Sequence, residues 1–335
     1  MLRPPESIRL IANPSASRVD ERAIRAATRA LSRLGDVDGV VRTTGPGEAT
    51  LLARQAVDDG CSLAVALGGD GTAGEVAEGL TGSGTALLCL PGGCTSVYAR
   101  IHGLAGAPGA AAERVAGAPG ALRRVRVDLG TVDERHFLFM AGIGLTASLM
   151  RAGARHPRLK ARLRGGYAAY AAAAGLVDVA RRGLPCVRVR AGTRRLDATT
   201  LVIQNSDVLS YLGPRAVAAA PGGGLATGTL ALAGAGDARV GDALALLGRL
   251  LGGDPERVAA HERVSAWSGL DTVVVESADG RPFPLEIDGT WIGDRLRARF
   301  GVAPLALEVA TLRRDLPVAA PRPERPLARP RLSAA

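Results

Sequence analysis

Apolar runs alternate with helical periodicity along the first part of the chain. Short runs of mainly apolar residues have the length of β-strands and lie at 8–12, 37–41, 63–67 and 86–90. The segments between them carry the spacing of helices, at 19–34, 47–58 and 72–80. Such alternation predicts an α/β domain with a parallel sheet covered on both faces, in which ligands bind beyond the carboxyl ends of the strands.

The pattern changes near residue 125, where strand-like runs become frequent. They lie at 125–129, 136–140, 186–190, 199–204, 229–232 and 272–276. Helical patterns interrupt them at 166–181 and 242–251. We therefore predict an α/β domain over 7–124 and a mainly antiparallel β-rich domain over 125–312. The last element, about 295–312, is a candidate to return to the first domain. Residues 317–335 are rich in Pro, Arg and Ala and are predicted to be a disordered tail.

Length and composition fit a two-domain globular protein. The chain has 335 residues, 47% of them hydrophobic, and no apolar stretch reaches the roughly 18 residues of a membrane span. The N-terminus lacks the long apolar segment of a secretory signal. The four cysteines form no CxxC pair, so free thiols in a reducing cytoplasm are the simplest interpretation.

The charge is strongly positive, with a formal net value of +10 that comes almost entirely from arginine. Two explanations of this bias are equally good: a GC-rich genome, and attraction of the protein to the phosphates of anionic lipids or nucleotides. Nucleic acid is the weakest of the three interpretations. No basic motif is interleaved with aromatic residues of the kind that stack on bases.

The segment with the clearest chemistry follows the third apolar run and reads Leu-Gly-Gly-Asp-Gly-Thr, at 67–72. Glycines let a backbone turn sharply and bring its N–H groups against phosphate oxygens, and the next helix adds its positive end. Asp70 lies between these glycines, where a carboxylate can hold Mg²⁺ or accept a hydroxyl proton.

Two further loops end the first and fourth apolar runs: Asn-Pro-Ser-Ala-Ser-Arg at 13–18 and Pro-Gly-Gly-Cys-Thr-Ser at 91–96. With the loop at 68–75, this order resembles the diacylglycerol kinase catalytic domain and the related sphingosine kinase-like lipid kinases. The resemblance continues through Thr-Thr-Gly-Pro-Gly-Glu-Ala at 43–49 and Val-Asp-Leu-Gly at 127–130. It ends at Ile-Asp-Gly at 287–289 and covers most of residues 7–310.

The resemblance implies an ATP- and Mg²⁺-dependent kinase that phosphorylates a lipid hydroxyl, with diacylglycerol as the default acceptor. The nucleotide would lie between the two domains. The residues that it implies for nucleotide binding are Asn13, Pro14, Thr43, Gly68, Gly69, Asp70, Gly71, Thr72, Glu75, Gly92, Gly93 and Cys94. Asp70 and Asp288 are the candidate catalytic acids, and Asp70 and Asp128 the candidate metal ligands.

Several positions depart from the family pattern. The pattern has a glycine where this chain has Ser17 and an asparagine where it has Gly74. It has a threonine, an asparagine and an aspartate where this chain has Cys94, Ser96 and Val97. Thr290 replaces the glutamate that is thought to act as base, and Ala226 an aspartate implicated in metal binding. Two alternatives therefore stay open: a catalytically impaired homologue that binds nucleotide or lipid, and an NAD kinase-type enzyme, which shares the glycine-rich loop.

The same resemblance predicts the partners and the location. We expect a cytoplasmic protein at the inner face of the membrane that meets its lipid substrate there, binds anionic lipids and does not bind nucleic acid. The basic run at 151–164 is the candidate docking segment. A homodimer also stays open.

Overall fold

The computed structural model describes residues 7–155, 167–236 and 253–316, and its first part alternates strands with helices. The strands are β1 Ser7–Ala12, β2 Asp36–Arg42, β3 Leu63–Gly68 and β4 Ala86–Pro91. The helices are α1 Glu21–Leu31, α2 Glu48–Asp58, α3 Asp70–Leu80, α4 Val97–Ile101 and α5 Pro108–Gly117. All four strands and the first three helices lie where the apolar pattern predicts them, whereas it does not indicate α4 and α5.

The first four strands are parallel and lie in the order β2-β1-β3-β4. Every residue of β3 and β4 is buried, so both faces of the sheet are covered there. At the start of α1, the Asp20 side chain accepts the N–H of Ala23 at 2.7 Å and caps the helix. The predicted α/β fold with a parallel sheet is confirmed.

The remaining chain is dominated by strands. They are β5 Arg123–Val132, β6 Arg135–Phe137, β7 Met140–Ile143, β8 Val187–Ala191, β9 Arg194–Ala198, β10 Thr200–Gln204, β11 Ser210–Leu212, β12 Arg215–Val217, β13 Leu230–Ala235, β14 Val264–Leu270, β15 Thr272–Ser277, β16 Phe283–Ile287, β17 Thr290–Arg295 and β18 Arg297–Thr311. The helices are α6 Leu145–Ala154, α7 Tyr167–Arg182 and α8 Pro255–Ala259.

The long strand β18 joins the two parts of the molecule. It pairs antiparallel with β15 and β5, and its carboxyl-terminal part also pairs parallel with β4, at Val309 and Leu87. One sheet of ten strands results, with the order β2-β1-β3-β4-β18-β15-β8-β9 and the pair β5-β6 beside β18. The register of β18 shifts between Ala303 and Leu307, where Leu305 takes a left-handed backbone with φ +50°.

A second sheet of six strands is antiparallel throughout, in the order β14-β13-β10-β7-β16-β17. One of its faces packs on β8, β15 and β18 through a core that includes Val189, Val273, Phe283, Leu285 and Phe300. The predicted β-rich second part is confirmed.

Two local predictions differ from the structure. The single strand predicted at 136–140 is divided between β6 and β7, because the N–H groups of Leu138 and Phe139 bind a side chain rather than a neighbouring strand. The helix predicted at 166–181 is present as α7, with Gly166 outside the described residues. The predicted helix at 242–251 and the tail at 317–335 also lie outside them.

The predicted docking segment at 151–164 needs a correction at its first residue. The Arg151 guanidinium is buried and binds Asp178 of α7 at 2.8 Å and Asp294 of β17 at 3.0 Å. Arg151 therefore joins α6 to α7 and to the second sheet, and it is not available at a membrane surface. Residues 156–164 of that segment lie outside the described part. Within the described ranges no helix is long and apolar enough to cross a membrane.

Candidate active site

Three loops meet at the carboxyl ends of β1, β3 and β4. The N–H of Asn13 donates to the carbonyl oxygen of Leu67 at 2.9 Å, which joins the first loop to the second. The N–H of Gly92 donates to the carbonyl oxygen of Gly68 at 2.8 Å, which joins the second loop to the third. The carboxyl ends of parallel strands lie at one edge of a sheet, where such sheets bind their ligands, and we call the place where these three loops meet the crevice.

The glycines of the second and third loops allow their backbones to touch. A Cβ on Gly93 would lie 2.7 Å from the Cα of Gly69, and one on Gly92 would lie 3.0 Å from the Cα of Gly68. The N–H of Gly92 donates to the Gly68 carbonyl oxygen, and the N–H of Gly93 donates to the Ser96 hydroxyl. Because both N–H groups already have partners within the protein, these two glycines allow the loops to pack closely against each other. The start of α3 remains the better place for phosphate, since the first N–H groups of a helix have no partner within it.

Asn13 and Thr72 fix the first loop to the start of α3. The side-chain amide of Asn13 donates to the hydroxyl of Thr72 at 2.9 Å, and the side-chain Oδ1 of Asn13 accepts the N–H of Ser15. Thr72 is buried, whereas Pro14 is exposed. The hydrogen bond between Asn13 and Thr72 therefore holds the first loop against the start of α3.

Asp70, the first residue of α3, binds the start of α4 through its carboxylate. Its two oxygens accept the N–H groups of Val97 at 3.0 Å and Tyr98 at 2.8 Å. Burial raises the pKa of Asp70, and these N–H groups oppose that effect. Asp70 thus holds the β4–α4 loop, which carries Cys94 at an exposed position.

Asp288 approaches the same crevice from the second sheet. Its carboxylate accepts three backbone N–H groups: Leu138 at 2.7 Å, Phe139 at 3.0 Å and Met140 at 3.2 Å. Burial, with a smaller contribution from the charge of Asp70, raises the pKa of Asp288 to about 7 against the opposing effect of the three N–H groups. The Asp288 backbone is left-handed, with φ +48°, where the chain leaves β16.

The segment 288–290 packs against α3. A Cβ on Gly74 would lie 3.9 Å from Oδ2 of Asp288, and one on Gly71 would lie 3.3 Å from Oγ1 of Thr290. Small residues at 71 and 74 therefore let the second sheet reach the glycine-rich loop. The structure brings the two candidate catalytic acids, Asp70 and Asp288, to one crevice.

Asp128, predicted as a metal ligand, is bound through both of its carboxylate oxygens. Its carboxylate oxygens accept the N–H groups of Leu305 at 2.8 Å and Gly228 at 2.6 Å, and the residue is buried. Asp128 therefore binds the irregular part of β18 and the turn before β13. A carboxylate that two backbone N–H groups already occupy is a poor first ligand for a cation.

Glu75 and Thr43 lie beside α2. The Glu75 carboxylate accepts the N–H of Ala49 at 3.2 Å, in the first turn of α2, and the Thr50 hydroxyl donates to the Glu75 carbonyl oxygen. The Thr43 N–H donates to the carbonyl oxygen of Ala12, which continues the pairing of β2 with β1. Glu75 therefore positions α2 against α3.

A protein cage for Mg²⁺ does not fit these contacts. Both oxygens of Asp70, Asp128 and Asp288 accept backbone N–H groups, and no cluster of three His, Cys, Asp or Glu suited to a metal occurs among the described residues.

Glu286 is a buried acid that the sequence motifs do not single out. It lies on β16, and burial raises its pKa to about 7, partly offset by the Thr146 hydroxyl. A Cβ on Gly142 of the neighbouring strand would lie 2.5 Å from the Glu286 Oε1. Alternation along the strand gives no signal for this burial: Leu285 and Ile287 belong to the core between the two sheets, so the pattern predicts that Glu286 faces away from that core, yet it is buried too.

The parallel sheet with its glycine-rich loops is thus met by an Asp-Gly turn from the antiparallel sheet. Residues 7–130 match the model of the diacylglycerol kinase catalytic domain, which confirms the resemblance over that range. Curated proteins gave no match.

The fold is similar to solved structures from Bacillus anthracis str. Sterne. One, a putative diacylglycerol kinase, has a TM-score of 0.69 and 19% identity, over 92% of this chain and 97% of that chain. Another, described as a diacylglycerol kinase, has a TM-score of 0.64 and 16% identity over the same shares. At such identity these matches show the shared fold alone.

Proposed function

We propose that the protein transfers the γ-phosphoryl group of ATP to the hydroxyl of a lipid, with diacylglycerol as acceptor and phosphatidic acid as product. The observation that carries this is the contact between the start of α3 and the segment 288–290, seen at Gly71 and Thr290. It places a helix N-terminus suited to phosphate beside a buried carboxyl group.

The reaction that we propose uses Asp288 as base. The lipid hydroxyl oxygen attacks the γ-phosphorus, the bond to the β-phosphate oxygen breaks, and ADP leaves. The hydroxyl proton passes to Asp288, whose pKa of about 7 suits a base at neutral pH. Asp70 positions the β4–α4 loop, and the start of α3 holds the phosphates. Mg²⁺ dependence stays a prediction, in which the ion accompanies the nucleotide phosphates.

A second candidate is a catalytically impaired protein that binds nucleotide or lipid. It is favoured by Thr290, which lies against Gly71 where the family pattern has a carboxylate. The match to the diacylglycerol kinase domain gives no support to the NAD kinase-type alternative.

We also propose that the protein binds its lipid substrate at the cytoplasmic face of an anionic membrane. Two apolar side chains of α7, Leu176 and Val177, are exposed, and Arg181 and Arg182 follow on the same helix. An apolar pair beside positive charge is suited to a membrane surface.

The decisive experiment incubates the full chain with radiolabelled ATP, Mg²⁺ and diacylglycerol in mixed micelles, and measures labelled phosphatidic acid. We expect slow but measurable product from the native protein and at least about 100-fold less from Asp288→Asn. Asp133→Asn is the control, because Asp133 lies in the turn between β5 and β6 and its carboxylate accepts the N–H of Arg299. ATP binding without product from any lipid would favour the impaired protein.

A further inference from the structure

Asn205 is fully buried directly after β10 and binds the segment that holds Asp288. Its side-chain amide donates to the carbonyl oxygen of Leu138 at 3.1 Å, and its backbone N–H donates to that of Phe139 at 3.0 Å. Leu138 and Phe139 therefore bind Asn205 through their carbonyl groups and Asp288 through their N–H groups.

The segment at 138–140 needs such support. Leu138 and Phe139 lie between β6 and β7, and their N–H groups point at a carboxylate instead of a neighbouring strand. When N–H groups converge on one side, carbonyl oxygens face other directions and need donors of their own. Asn205 supplies those donors for Leu138 and Phe139.

The chemistry of the side chain fits this task. The same Asn205 amide group also donates to the carbonyl oxygen of Asp128 at 2.9 Å, so both of its N–H groups have a partner. Its carbonyl oxygen, by contrast, is buried without a partner among the described residues. At this length only asparagine offers two N–H donors, and the unpaired oxygen is an energetic cost that accompanies them.

We propose that Asn205 is a positioning residue for Asp288: it fixes Leu138 and Phe139 so that their N–H groups hold the Asp288 carboxylate toward α3. The inference rests on the proposed function, in which Asp288 is the base. Other ionisable groups near Asp288 are Asp70 of α3 and Tyr98 of α4, whereas the hydrogen bonds of Asn205 go to Asp128, Leu138 and Phe139.

Two leucine variants of the full chain test the inference. Asn205→Leu removes the donors to Leu138 and Asp128. Gln204→Leu is the matched control. Gln204 is the residue before Asn205 and is also buried, but its side-chain amide binds Ala219, Ala220 and Ser206. We expect Asn205→Leu to lower kcat at least about 10-fold with the KM for ATP changed less than about 2-fold. The control should lose stability and keep kcat.

A double-variant cycle separates positioning from general stability. In an Asp288→Asn background, Asn205→Leu should cause less than about 2-fold further loss of kcat, because the carboxylate that it positions is already gone. A full, additive loss would overturn the inference. If Asn205→Leu does not fold, Asn205→Ser, which keeps a small polar group, replaces it in the same cycle.

Amide hydrogen exchange gives a readout that needs no turnover. Exchange at Leu138–Met140 should accelerate in both Asn205→Leu and Asp288→Asn, and should stay unchanged in Gln204→Leu. A native protein without activity would defeat the proposed function. Unchanged exchange in a folded Asn205→Leu would defeat the inference about Asn205.

Discussion

The carboxylate of Asp70 accepts the backbone N–H of Tyr98 at 2.8 Å, so the first residue of α3 fixes the first turn of α4. Its other oxygen accepts the N–H of Val97. In the family pattern position 97 is an aspartate, whereas here that residue contributes its backbone. Asp70 therefore joins two loops of the crevice whatever its part in the chemistry.

Asp70→Asn should weaken this connection. A carboxamide has one acceptor oxygen, so one of the two N–H groups loses its partner, at a cost of about 1–3 kcal/mol. We expect a lower free energy of unfolding in urea and turnover reduced about 10–100-fold as the loop shifts. Asp20→Asn is the control, since asparagine caps a helix as well as aspartate. Native stability and turnover in Asp70→Asn would contradict this role.

The glycine-rich loops and the fold class follow from the sequence because both depend on local chemistry. Apolar runs of strand length bounded by Gly-Gly-Asp-Gly and Pro-Gly-Gly predict buried strands and sharp turns, and β3 and β4 are of that kind. The nearness of Asp288 to α3 required the family resemblance. No local pattern relates residues more than two hundred positions apart.

The contacts that assign roles could not be predicted from the sequence. Asp128 and Asp288 read alike as acids in short motifs, yet one binds the turn at Gly228 and the other the segment at Leu138. The basic run that begins at Arg151 predicts an exposed surface, yet Arg151 is buried and forms an ion pair with Asp178. Partners from distant parts of the chain decide each case.

Glu286 should make stability depend on pH. Burial raises its folded pKa to about 7 from an unfolded value near 4.3, so the folded state holds the proton more tightly. Its stabilising contribution is fully present below about pH 4 and is lost as pH rises through about 7. Native unfolding free energy should therefore fall between pH 5 and pH 8, measured in urea.

Glu286→Gln should remove that part of the dependence. The amide carries no charge at either pH. Between these pH values the free energy of unfolding should therefore fall by on the order of 3 kcal/mol less in the variant than in the native protein. Glu262→Gln is the control, because Glu262 is exposed. Parallel pH profiles for native and Glu286→Gln would show that the Glu286 carboxyl ionises freely in the folded protein.

Membrane binding should depend on the apolar pair of α7. Leu176→Ser with Val177→Ser should lower the binding constant for phosphatidylglycerol vesicles, measured by sedimentation, by about 100-fold or more, since each buried apolar side chain contributes about 1.5–3 kcal/mol. Leu51→Ser is the control, because Leu51 is equally exposed but lies on α2. Binding should also fall with salt, which screens charges within about 10 Å at 0.1 M. Equal loss in both variants, or none, would reject α7 as the contact.

Thr290 distinguishes a kinase with its own base from one that has lost it. A threonine hydroxyl is not appreciably basic at neutral pH, so Thr290 cannot take the acceptor proton. A glutamate there is compatible with the structure, because Thr290 is exposed and lies beside the positive end of α3 at Gly71.

If Asp288 is the base, Thr290→Glu should leave turnover unchanged or lower it, because the added charge repels the nucleotide phosphates. Thr290→Gln, of the same size without charge, separates repulsion from bulk. A rise of about 100-fold or more in Thr290→Glu alone would mean that the native protein lacks an effective base. Asp288 would then be a structural acid, held by Leu138, Phe139 and Met140 for the fold alone.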